Sequence, residues 1–100
     1  MSVVSLDPYV IDVLLPDLVG HDHRPSAFLV YLYLSRRAGR GLAARVSLRT
    51  IAEGTGLSKR AVQTALRTLG RRRLIRARRA GPTAVPEYLV QRPWAERRSA

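Results

Sequence analysis

The stretch GLSKRAVQTALRTLGRRRLI, Gly56 to Ile75, constrains the fold more than any other part of this chain. Val62, Ala65, Leu66 and Leu69 follow one another at steps of 3, 1 and 3, which is one face of an α-helix. Ser58 stands where a helix cap belongs, its hydroxyl able to accept a free backbone N–H. Gly56 supplies a tight turn ahead of it, with Leu57 tucked behind the turn. Upstream, Ile51 and Ala52 fall in a shorter helix, and the small Ala52 lets a second helix cross close to it. The pattern predicts two helices crossing at a glycine turn, the second running from Ser58 to about Arg71.

Around this pair the remaining elements fall into place. Asp7 before Pro8 is a helix start, and the apolar residues that follow predict a helix over about 8–15, interrupted at Pro16, able to resume to Val19 and ended by Gly20. After the connector GHDHRP a further helix runs from Pro25 or Ser26 to Arg37, stopped by Gly39 and Gly41. Phe28 to Leu34 is apolar all round, so it must be covered on more than one side. The N-terminal helix of the same chain can do this, as can a homodimer interface, and the two are compatible. Val46–Leu48 reads as a very short strand and Thr50–Glu53 as the short first helix. Leu74–Arg78 and Glu87–Gln91 are β-prone, separated by RAGPTAVP, whose glycine and prolines mark a loop.

One hundred residues, 46% of them hydrophobic, suffice for a single domain with one modest core. Within it, 1–23 is read as an N-terminal helical extension, 24–93 as the main folded unit and 94–100 as a flexible tail. Without cysteine there is neither a disulfide framework nor a thiolate metal site. No apolar run reaches the roughly 18 residues of a membrane helix, and no signal peptide is evident, so a cytoplasmic protein with no membrane partner is expected.

Charge is the strongest compositional signal. The net charge is +11, yet residues 1–35 hold four acids and one base, a net of −3. The other 65 residues hold 17 bases and three acids, a net of +14. Such a surface attracts a polyanion. Opposite the apolar face of the capped helix stand Lys59, Arg60, Gln63, Thr64 and Arg67. Arginine and lysine can bond guanine O6 and N7, glutamine can pair with adenine, and threonine offers a hydroxyl or a methyl. With Ser58 at the helix start, these are the candidate base readers. The run RRRLIRARR carries six arginines in nine positions, and its Leu74 needs an inner face to point to. As a strand it sets Arg76 and Arg78 on one side. Arg49, Arg71, Arg72, Arg73, Arg76, Arg78 and Arg79 are the candidate phosphate contacts, and about six such contacts imply a log K against log salt slope of roughly −5. The loop AGPTAVP holds no base, which places any contact of this loop at its foot, near Arg78 and Arg79.

Residues 26–91, through SLRTIAEGTGLSKRAVQTALRTLGRRRLI and the later EYLV, resemble the winged helix-turn-helix domain of small bacterial transcription regulators. They are similar to the MarR and GntR types and to the helix-turn-helix domains of plasmid and phage replication initiators. The resemblance implies a mainly α fold with a small β-wing: a three-helix core plus N-terminal helix, a recognition helix at 58–71 and a two-stranded hairpin. It implies double-stranded DNA as partner and transcriptional regulation as role. The chain departs from the GntR type in its wing tip and lack of an effector domain, and from MarR in lacking a long C-terminal dimerisation helix.

Other features point nowhere in particular. His21 and His23 flank Asp22 with no further histidine or cysteine to complete a metal site. Asp7, Asp12 and Asp17 recur every five residues, which does not keep one helix face. With no catalytic constellation and no phosphate-binding glycine loop, neither an enzyme nor a cofactor is expected. Trp94 reads as a lid over the core. A homodimer through the N-terminal segment and the Phe28–Leu34 helix stays open. So do a protein-interaction module in a replication or partition assembly and a structured-RNA binder.

Overall fold

The computed structural model describes residues 3–39 and 43–95. At the N-terminus the Asp7 carboxylate accepts the Tyr9 N–H at 2.9 Å, and the chain then winds as π-helix over Val10–Leu14 and Pro16–His21. The expected break at Pro16 is not a break. Proline has no N–H to give, and in an α-helix its ring would meet the carbonyl four residues back. The wider turn avoids this: the Leu15 N–H bonds to the Val10 carbonyl and the Asp22 N–H to that of Asp17. The segment therefore runs past Gly20 to His21. Val10, Leu14 and Leu18 lie buried along one side of it.

Helix α1, Pro25–Ala38, starts on a proline in its first turn and ends at Gly39. It forms the middle of the molecule, packing on the N-terminal segment, the two later helices and the sheet. Ala27, Phe28, Val30, Tyr31 and Leu34 are buried. The apolar-all-round face is thus covered within one chain, and only Leu29, 46% exposed, stands out from it. Gly41, the other expected stop, lies outside the described residues.

Strand β1 is Ala43–Arg45, earlier than the expected Val46–Leu48. Leu48 instead opens helix α2, Leu48–Thr55, because Ser47 caps it by accepting the Thr50 N–H at 3.1 Å. Gly56 follows with φ 79°, a left-handed turn suited to glycine. Ser58 then accepts the Ala61 N–H at 3.0 Å and starts α3, Lys59–Arg71. Val62, Ala65 and Leu69 of α3 are buried, as is Ile51 of α2.

Strands β2 (Ile75–Arg78) and β3 (Glu87–Val90) pair antiparallel, as the hairpin reading requires, but the sheet has a third strand. β1 pairs antiparallel with β3, giving the order β1-β3-β2. Ala44, Tyr88, Val90 and Ile75 face the helices and are buried. The folded unit also runs further than the expected limit at residue 93. Trp94, read as the first residue of a tail, is 5% exposed and stacks on Tyr9 with ring centroids 4.5 Å apart. Its burial bears out the reading of Trp94 as a lid; residues 96–100 lie outside the described residues.

Candidate nucleic-acid interface

Helical periodicity puts Arg60, Gln63, Thr64, Arg67 and Arg71 on one stripe of α3, opposite the buried Val62, Ala65 and Leu69. Arg60, Gln63, Arg67 and Arg71 are exposed, and Lys59 is exposed at the first position of the helix. Thr64 is half-buried, and its hydroxyl accepts from Arg67 Nη2 at 3.4 Å, steering that guanidinium along the stripe. The Ser58 hydroxyl oxygen accepts as the cap, which fixes this exposed residue at the N-terminus of α3.

Both flanks of the stripe are occupied. On one side a cleft of about 590 Å³ lies between α3 and the wing, lined by Gln63, Leu66, Arg67, Arg79, Thr83 and other wing residues. Arg79 lines both this cleft and the one shared with Arg45, Arg78 and Glu87, and its Nη1 donates to the Pro82 carbonyl at 3.4 Å. On the other side, at the far end of α3, lie the N-terminal carboxylates. Arg72 pairs with Asp17 and, at 3.6 Å, with Asp22.

The seven arginines expected on phosphates are thus not one surface. Arg71 continues the reading stripe and donates to Thr68 Oγ1 at 3.4 Å. Arg73 is exposed with φ 58° in the turn to β2. Arg49 pairs with Glu53 one turn along α2, at 3.5 Å. Arg76 and Arg78 leave the outer face of the sheet, since Ile75 takes the inner one. There Arg78 Nε donates to Glu87 at 3.0 Å. The Arg78 hydrogen bonds hold the Glu87 carboxyl below its usual range, and the positive charge of Arg45 adds to this. Arg45, exposed on β1 in register with Glu87, was not singled out from the sequence. Its place beside Arg78 depends on strand pairing across 42 residues, and no local signal announces it.

Among the described residues, no group of three or more His, Cys, Asp or Glu could hold a metal ion. No described helix is long and apolar enough to cross a membrane.

Two helices crossing at a glycine turn, the second carrying an exposed polar stripe beside a β-hairpin, define a winged helix-turn-helix. A family model for a helix-turn-helix domain matches residues 24–75, and the chain belongs to that family. The match takes in α1, β1, α2 and α3, leaving the N-terminal segment, all but the first residue of β2, and β3 outside. No curated protein and no solved structure matches the chain.

Proposed function

We propose that this protein binds double-stranded DNA sequence-specifically and regulates transcription, with α3 lying in the major groove. The observation that carries this reading is the exposed stripe of Arg60, Gln63, Arg67 and Arg71 on a capped helix flanked by a wing. The residues near the start of such a helix reach base edges, so Lys59, Arg60, Gln63 and Arg67 read the sequence. Arg71, Arg73 and Arg79 hold phosphates and fix the register. The reading makes the chain a non-enzymatic, cytoplasmic, nucleoid-associated protein of the bacterial regulator kind.

The test is a mobility shift on duplexes selected from a random pool. Arg60→Ala and Gln63→Ala should each relax preference at one base pair and cost about 1–3 kcal/mol on the selected site. Unchanged preference in both variants would refute the recognition role of α3.

A second copy is favoured by one further observation: Ile11, Val13 and Leu29 are apolar and exposed on the N-terminal segment and α1. In a two-fold dimer the recognition helices would meet half-sites roughly 34 Å apart. Sedimentation of the free protein and of its complex decides between one and two copies per site.

A further inference from the structure

Asp17 and Asp22 belong to the N-terminal segment, outside the residues matched by the helix-turn-helix family, yet both reach the end of α3. They are presented from a single turn, closed by the Asp22 N–H on the Asp17 carbonyl at 2.9 Å. The next residues are fastened to it by the Arg24 N–H on the Leu18 carbonyl at 2.8 Å, and Leu18 is fully buried. The two carboxylates are therefore held in place by the core rather than by the ion pair alone. Between them they take both terminal nitrogens of Arg72. Side-chain exposures of 33% for Arg72 and Asp17 and 18% for Asp22 partly shelter the cluster, whereas the Arg49–Glu53 pair, at 75% and 67%, is open to solvent and salt. Next to it, Arg71 is exposed on the reading stripe, and Arg24 and Arg71 open onto a cleft of about 320 Å³. Arg72 thus sits at the border of the basic surface but is already neutralised from the same molecule.

We infer that Asp17 and Asp22 are positioning residues that hold the Arg72 guanidinium off the duplex and so weaken binding to every DNA sequence alike. The inference rests on the reading of α3 as a DNA-recognition helix. A phosphate contact adds affinity without regard to sequence, and each one steepens the salt dependence by about 0.9 in log K per log salt. A phosphate that sought Arg72 would have to displace two anchored carboxylates. The acidic segment competes with DNA for one contact and leaves the base readers untouched.

The experiment measures Kd for a random-sequence duplex and for a selected site between about 50 and 200 mM salt. The full-length proteins compared are the wild type, D17N/D22N, R72A, D17N/D22N/R72A and D12N. Asp12 is exposed on the same segment, so D12N controls for the loss of one negative charge, half of that in the double variant. D17N/D22N should bind both duplexes several-fold tighter, by the same factor, with a slope steeper by about 0.9. Adding R72A to it should restore the wild-type slope, whereas R72A alone and D12N should leave the slope unchanged. A D17N/D22N slope equal to that of D12N overturns the inference, as does a slope flattened by R72A alone. Should the double variant fail to fold, D22N keeps the Asp17 contact and should steepen the slope in part; no steepening again overturns it. A wild type without duplex affinity at the lowest salt overturns the DNA reading itself, a separate result.

Discussion

Ser58 accepts the Ala61 N–H, so its hydroxyl ties down the start of α3 before any DNA arrives. Ser58→Ala should cost about 1 kcal/mol in urea unfolding, and Ser58→Asp should recover most of it. Tyr31 is a different case. Its side chain is 1% exposed, and its hydroxyl donates to the Gln91 carbonyl at 3.0 Å. Burial pushes its pKa up to about 12, against partial relief from Arg92. The unfolded chain then loses this proton near the ordinary tyrosine value while the folded one keeps it. The Tyr31 contribution is full below about pH 10 and drains away as pH rises towards 12. Tyr31→Phe should cost about 1 kcal/mol at neutral pH and make the alkaline loss shallower in denaturation at successive pH values. Gly54 marks the close approach of α2 to α1: a Cβ there would stand 2.3 Å from Tyr33 Cε1. Gly54→Ala should therefore push the half-exposed Tyr33 ring aside and recover only part of a helix-propensity gain of about 1 kcal/mol. In a Tyr33→Ala background the same change should stabilise.

Among the elements, the N-terminal segment departs most from its sequence reading. Proline predicts a stop, and the local argument is sound for an α-helix. The chain widens its turn instead, and so keeps Leu18 against α1 and Val10 and Leu14 buried in the same core. Leu18→Ala should cost about 2–5 kcal/mol. The unfolding should stay a single transition by both circular dichroism and Trp94 fluorescence; two transitions would make the segment an independent appendage. Strand β1 was displaced for a related reason. Ala43 and Ala44 have little β-propensity, and they form a strand because Leu89 and Tyr88 lie opposite. By contrast α3 needed nothing from afar: its cap, turn and apolar face are all local, and it was legible to within a residue.

For the whole molecule, the salt dependence reports how the arginines are divided. Arg72 and Arg78 are engaged by carboxylates, and Arg76 leaves the outer sheet face. That leaves Arg71, Arg73 and Arg79 for the proposed duplex, with Arg49 held in its exposed pair with Glu53. About three phosphate contacts give a log–log slope near −2.7, where a count of arginines alone gives roughly −5. A measured slope at the steeper value would mean that the ion pairs open on binding.

The twenty residues from Gly56 were enough to set α3, its start and its polar stripe, because capping and helical periodicity act within a few positions. The excess of positive charge was equally plain in composition. Which arginines are free was decided only by the tertiary structure. Arg72 meets Asp17 across 55 residues, and Arg78 meets Glu87 only once β2 and β3 pair. Charge is a property of the residue, but its availability depends on which neighbour folding brings within reach.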